Sequence, residues 1–443
     1  MRWAGLHRRR PPGWQLYLLL GLYPVLWVLG LAYFVWPVAA GVFILSLCLR
    51  GNIRIPPGFG LWVLFLIWMT ASVIELSTGT QVMLFVWRAL IYLTATGLFL
   101  WVYNSSADEL PSLSVAQALT VLWAAAVIGG LGGVIDPAFS YKTLAERLAP
   151  GSILSNSTAH SYIHVALAQI QFKALGRPIG RPIALFAYTN QWAATVGMLT
   201  PFAIITAMQT TRPLVRKAVF ALLGLSTIAI VVSINRGLWI ALALAGAYVG
   251  IRLAAAGRTK LLIRGSAVCV VLAVAIVVSP LGSLIHERVS SSHNSNGTRS
   301  TLYGQTFAGV SSSPLFGFGS PRASTTLVGT AKTAVGTQGQ FYLVLYSHGY
   351  PGLVFYLGWF AYTLLATLRR RTVTELLWGS VIVISFAEMM VYDFLPVAIY
   401  IVMIACALLW RQSLLEREAV PAATPPLLPA PATPPGRTIA PAR

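Results

Sequence analysis

The chain has 443 residues, of which 57% are apolar and 9% charged, and its formal net charge is +20. Soluble domains carry about 25% charged residues, so this chain lacks the polar surface a water-soluble fold needs, whereas lipid could cover it. Its cations sit in short clusters between apolar runs, not in a patch interleaved with aromatics, which argues for topology signals and against nucleic-acid binding.

In chain order, the apolar runs predict about 12 transmembrane helices, an all-α polytopic membrane helix bundle. They fall near 16–34, 36–50, 60–76, 82–103, 113–133, 183–208, 215–233, 237–254, 263–284, 341–367, 374–391 and 393–411. Arg8, Arg9 and Arg10 precede the first run, but no small-residue cleavage site follows, so that run reads as a retained helix. Cations then recur on alternate connections. They are Arg50 and Arg54, then Arg212, Arg216 and Lys217, then Arg252, Arg258, Lys260 and Arg264, then Arg369–Arg371, and finally Arg411 and Arg417. The excess of Lys and Arg on inner connections places both termini in the cytoplasm. Only the inner segment 104–112 lacks a cation.

Two outer segments are long, 134–182 and 285–340, and loops of this length are usually functional. The first predicts amphipathic helical stretches at 141–148 and 159–175, and the second a short helix near 298–310. Residues 1–418 read as one transmembrane domain, and 419–443, rich in Pro and Ala, as a disordered cytoplasmic tail.

The three cysteines, Cys48, Cys269 and Cys406, lie far apart within apolar runs and read as small hydrophobes. His160 and His164 share a helical face at i, i+4, but no acidic residue is spaced with them, so no metal site is assigned.

Ionisable groups at membrane depth are costly and mark function by default. Arg88 lies two turns inside the fourth run and Glu75 ends the third. They read either as an interhelical ion pair or as a site in which Arg88 meets a lipid-linked anion. Arg236 sits in the four-residue connection Ile234-Asn235-Arg236-Gly237, at a helix start. There its fork and the helix dipole both suit phosphate, although an arginine could also snorkel to headgroups. Tyr188 and Asn190 put polar groups at the start of an apolar run, which suggests a cavity or an interfacial anchor. His348 offers an imidazole inside the tenth run, either a base or a packing residue. Asp393, between the last two runs, is an alternative carboxylate base or arginine partner.

Several of these residues carry a family likeness. Arg181-Pro182 through Tyr188-Thr189-Asn190-Gln191, Ser233-Ile234-Asn235-Arg236-Gly237, Thr298-Arg299 through Ser313-Pro314-Leu315-Phe316-Gly317-Phe318-Gly319, and Phe341 through Gly352-Leu353 occur in this order. Over about residues 180–360 the chain resembles the O-antigen ligase and O-antigen polymerase superfamily of bacterial membrane glycosyltransferases.

The resemblance implies transfer of a glycan from a polyprenyl-diphosphate donor to an acceptor hydroxyl at the outer face of the bacterial plasma membrane. The transfer would be inverting and metal-independent, with no cofactor. The implied partners are the lipid-linked glycan, a glycan or lipid acceptor, and membrane lipid. Arg236, Arg181, Arg88, Arg299 and Arg322 become candidates for holding the diphosphate. One departure matters. Where ligases of the family carry a His-Asn pair, this chain has Gln338-Gly339, and Gln cannot act as a base. Gln338, His348 and Asp393 are therefore the candidate catalytic positions. A transporter or flippase of a lipid-linked solute, or a non-catalytic scaffold, are the rival readings. Inverted repeats, which transporters often show, are not evident.

Overall fold

The computed structural model describes residues 13–171, 178–290, 293–324, 334–393 and 395–419. The Arg8–Arg10 cluster, Arg177 and the predicted tail from 420 onward lie outside the described residues.

The chain begins with helices α1 (Trp14–Val28), α2 (Val35–Arg50) and α3 (Gly60–Ala71), the last extended by a 3₁₀ turn, Ser72–Glu75. α4 (Gly79–Asn104) and α5 (Ser112–Ile135) follow. Next comes an irregular region of β1 (Ser140–Tyr141), α6 (Leu144–Leu148), α7 (Gly151–Leu154), α8 (Ser157–Ile163), β2 (Val165–Ala166), β3 (Ala168–Gln171) and β4 (Ile179–Pro182). The bundle resumes with α9 (Thr189–Gln209), α10 (Pro213–Val232), α11 (Arg236–Ala255) and α12 (Thr259–Val278). A second interruption contains α13 (Pro280–Ser290) and α14 (His293–Ser312), before α15 (Gln340–Ala366), α16 (Val373–Met389) and α17 (Val397–Ala419).

Each of the twelve apolar runs overlaps a helix, and among the described residues seven helices are long and apolar enough to cross a membrane. Three shorter apolar helices stand at the N-terminal end. α9 and α17 are buried along most of their length, and with α4, α5 and α16 they form the centre of the bundle. α12 has no buried residue and lies at the periphery. Apolar side chains that would be a liability in water, such as Val271, Val277 and Val278, are exposed along it.

The chain is not purely helical. The predicted helical stretch 159–175 is helical only to Ile163; Val165–Ala166 and Ala168–Gln171 pair as strands instead, and 172–175 lie outside the described residues. Tyr141 lies opposite Val165, and Gln169 opposite Arg181. Partner strands satisfy the backbone here, so tertiary pairing overrides the amphipathic pattern. Gly133 of α5 lets this segment lie close, because a Cβ there would run into the backbone of Leu167.

Two predicted boundaries also shift for local reasons. The run 263–284 breaks after Val278, because Pro280 cannot donate a helical N–H and instead starts α13. The run 183–208 becomes helical only at Thr189. Leu185, with φ 73°, and the extended Tyr188 hold the preceding residues off the helix.

α15 is bent at Gly349 (φ 66°, ψ −172°), which frees carbonyls of the preceding turn. The loop 313–320 supplies their partners. Phe318 N donates to Tyr346 O at 2.9 Å and Gly319 N to Ser347 O at 2.8 Å. In return, Tyr350 N donates to Pro314 O at 2.9 Å. This exchange explains the Pro-Leu-Phe-Gly-Phe-Gly motif, since Gly317 and Gly319 both take positive φ to pass the bend.

Candidate anion-binding site

The α10–α11 connection is tight enough to force Ile234 to φ 50°, a conformation that costs a β-branched residue. Asn235 stabilises the turn. Its Oδ1 caps α11 by accepting from Leu238 N at 3.0 Å, and its Nδ2 donates to Asn190 Oδ1 at 3.3 Å. Arg236 therefore occupies the first position of α11, as its sequence context implied.

The β3–β4 hairpin brings Arg181 to the same turn. Its Nε donates to Ser233 O at 2.6 Å and its Nη1 to Gln171 Oε1 at 2.5 Å. α13 and α14 contribute Arg288 and Arg299, and the α16–α17 connection contributes Tyr392, over whose ring the Arg299 guanidinium lies at 5.3 Å. Together these groups enclose a cavity of about 250 Å³, with Gln169, Tyr188, Asn190 and Ile234 completing the lining.

The lining is cationic. Among the described residues it holds three arginines and no carboxylate. Arg236 adds a fourth positive charge beside Arg288. Burial, together with the Arg288 and Arg299 charges, lowers Arg181 to about 10, although Tyr392 opposes the shift. Burial and then the Arg236 and Arg299 charges lower Arg288 as well. Arginine side chains are charged at neutral pH, so these two sit in each other's repulsive field. An anion entering the cavity would relieve that repulsion and gain several charge-assisted hydrogen bonds.

Of the predicted site residues, Arg181, Arg299, Tyr188 and Asn190 line this cavity, and Arg236 stands next to it. Arg88 and Arg322 sit elsewhere. Arg88 Nη1 donates to Ser320 Oγ at 3.3 Å and shares charge interactions with Asp393 and His348. Arg322 Nη2 donates to Glu75 O at 3.0 Å, and its guanidinium lies 4.1 Å over Phe318. Arg88 thus meets a serine hydroxyl and Asp393, while Glu75 offers its carbonyl to Arg322.

His348 is buried at the bend of α15, with Nδ1 2.9 Å from Ser72 Oγ and the rings of Phe65 and Phe85 edge-on to it. It is not among the cavity residues. Gln338 lies in the bend before α15, half-buried. Asp393 follows Tyr392 directly, and its Oδ1 accepts from Leu395 N at 3.0 Å. Behind it, Gln340 Nε2 donates to Tyr92 Oη at 2.8 Å, and Gln191 bridges Tyr33 Oη and Leu395 O, both at 2.8 Å.

Sequence reading had not singled out Arg288, Gln169, Gln171 or Tyr392 for this cavity. Arg288 could have been found as the cation ending an amphipathic helix in the second long loop, but the helix itself was hidden by the run through Pro280.

Residues 219–357 match the family model described as O-antigen ligase, which supports the O-antigen ligase and polymerase superfamily. The matched span carries Arg236, Arg288 and Arg299, whereas Arg181, Tyr188 and Tyr392 fall outside it. No curated protein matches the chain.

Proposed function

We propose that this O-antigen-ligase-like chain transfers a glycan from a polyprenyl-diphosphate donor to an acceptor hydroxyl at the outer face of a bacterial plasma membrane. The observation that carries the reading is the convergence of Arg181, Arg288 and Arg299 on a cavity with no carboxylate among its described lining residues, with the Arg236 charge near Arg288. At about 250 Å³ it is smaller than the roughly 300–1,000 Å³ of common ligand pockets. It suits a compact diphosphate, with the prenyl chain and glycan running outward.

Both termini are cytoplasmic in this reading, so the cavity opens on the opposite, outer side. The acceptor oxygen attacks the anomeric carbon as the bond from that carbon to the diphosphate oxygen breaks. Configuration inverts, and polyprenyl diphosphate departs with the bonding electrons. Negative charge grows on the leaving oxygen, where guanidiniums at a helix N-terminus are worth most. The main chemical work is therefore electrostatic and requires neither metal nor cofactor. Asp393, adjacent to the cavity residue Tyr392, receives the acceptor proton. Gln338 and His348 are less suited: one has no basic group, and the other is enclosed with Ser72 and two phenylalanine rings. Arg88 and Arg322 lie away from the cavity lining, and Arg88 acts on Asp393 through charge.

The test is Arg236→Ala in purified, reconstituted protein supplied with labelled lipid-linked glycan. Transfer falls sharply if the reading is right, and transfer at the unaltered rate overturns it. Translocation of the donor without transfer would instead identify a transporter.

A further inference from the structure

Outside the cationic cavity, one cluster brings metal-binding atoms together. Thr143 caps the start of α6: its Oγ1 accepts from Glu146 N at 3.1 Å and donates to Ile163 O at 2.5 Å. That pair of bonds locks α6 against the end of α8. It also aims the Glu146 carboxylate, itself only 5% exposed, between two imidazoles. His160 Nε2 lies 2.9 Å from Oε1 and His164 Nδ1 lies 2.9 Å from Oε2. The two rings are 5.3 Å apart and tilted by 32°. One donor atom from each of the three residues lies within 4.8 Å of the others.

We propose that Glu146, His160 and His164 form a binding site for a divalent transition-metal ion of the zinc type. Two imidazole nitrogens and a carboxylate oxygen are the donor set of open four-coordinate zinc sites, in which water takes the remaining position. The exposed edges of His160 and His164, 37% and 29% accessible, admit that water. Tetrahedral bonds of about 2.0–2.1 Å need donors about 3.4 Å apart, a closure that small ring rotations supply.

The sequence hid this site because Glu146 is separated from the histidines by fourteen and eighteen residues. Only the fold of the first long loop joins them. The platform is anchored to the bundle, since Ala145 N donates to Leu29 O at 3.1 Å and Tyr141 Oη to Val28 O at 2.8 Å. It also reaches the cationic cavity. Ser161, next to the ligand His160, lies 2.8 Å from Tyr188 Oη, and Tyr162 stacks on Tyr33 at 4.4 Å. A bound ion would therefore staple α6 to α8 and fix the wall that carries Tyr188, without approaching the arginines.

The experiment uses the full-length protein in detergent, stripped with chelator and titrated with Co²⁺. One equivalent should bind, with the visible absorption of four-coordinate cobalt, and Zn²⁺ should displace it. Zn²⁺ should raise Tm and protect two histidines from diethyl pyrocarbonate. In His160→Ala and in His164→Ala, affinity should fall at least tenfold and the Zn²⁺ shift in Tm should vanish. No saturable Co²⁺ spectrum in the unaltered protein, or unchanged binding in the double variant, overturns the proposal. Should the variants not fold, the cobalt spectrum and histidine protection of the unaltered protein decide the matter alone.

Discussion

Arg181 Nε donates to the carbonyl oxygen of Ser233 at 2.6 Å, and so joins the β3–β4 hairpin to the turn that presents Arg236. One guanidinium thus braces the turn and contributes its own charge to the cavity. Removing it affects both. A hydrogen bond to a charged group contributes about 1.5–3 kcal/mol, and about 1.4 kcal/mol corresponds to tenfold in binding. Arg181→Ala should therefore raise KM for a lipid-linked donor by about 10- to 100-fold. Arg181→Lys keeps the charge but loses the fork and should fall between. Steady-state kinetics in proteoliposomes check this, and an unchanged KM in Arg181→Ala would remove Arg181 from the site.

Arg288 extends the argument to a residue that sequence reading passed over. It shares the cavity with Arg181 and Arg299 and feels the Arg236 charge. Arg288→Ala should weaken donor binding by about tenfold, corresponding to about 1.4 kcal/mol, and should flatten its dependence on ionic strength. Arg288→Lys should retain most of the salt dependence. Donor titration at low and high salt separates the two.

Arg236 and Arg288 show what the sequence makes legible and what it hides. Apolar runs long enough to fill a bilayer announce themselves without tertiary information, and each one overlaps a helix. The place of Arg236 at a helix start is legible because the connection around it is only four residues long. Arg288 was not, because the helix bearing it begins at Pro280, inside what looks like a continuous apolar run. The Glu146 group was illegible for another reason. Its members meet only after 165–171 turns into strands against β1 and β4, and no local pattern reports that pairing.

His348 and Asp393 can be told apart by kinetics. Among the described residues the His348 ring hydrogen-bonds to Ser72 Oγ at 2.9 Å, and it is enclosed at the α15 bend. His348→Gln should lower Tm, since a buried hydrogen-bonded group is lost at about 1–3 kcal/mol. It should leave the shape of the pH–rate profile intact. Asp393→Asn should lower kcat by about 100-fold or more, the usual scale for a lost general base, with little change in donor KM. A pH profile altered by His348→Gln and unaffected by Asp393→Asn would transfer the base to His348.

The Glu146 group makes a pH prediction for metal-free protein. Hydrogen bonds and charge from His160 and His164 outweigh burial and hold the folded carboxyl below the usual carboxylate value of about 4.5. A depressed folded value means that the native state favours the ionised form more than the unfolded chain does. The stabilisation is therefore present above about pH 4.5 and is lost as pH falls through the folded value. With chelator present, Tm of the unaltered protein should drop more steeply than that of Glu146→Gln once pH goes below that point. Parallel curves through the same window would show that the carboxylate contributes nothing to the fold.

The bend of α15 makes the last prediction, on stability. Gly317 has φ 64°, and a Cβ there would stand 2.5 Å from Tyr346 O and 2.7 Å from His348 N. Both contacts are with backbone, which cannot rotate away as a side-chain tip can. Gly317→Ala should cost about 1–2 kcal/mol from the left-handed conformation alone. It should cost more because the Phe318 and Gly319 hydrogen bonds to α15 must lengthen to make room. Gly41, in α2, is the control, because nothing lies within 4 Å of a Cβ built there. Gly41→Ala should be neutral or stabilising by about 0.5–1 kcal/mol. Thermal unfolding in one detergent compares the pair, and equal Tm values would mean that the 313–320 loop does not hold the bend in place.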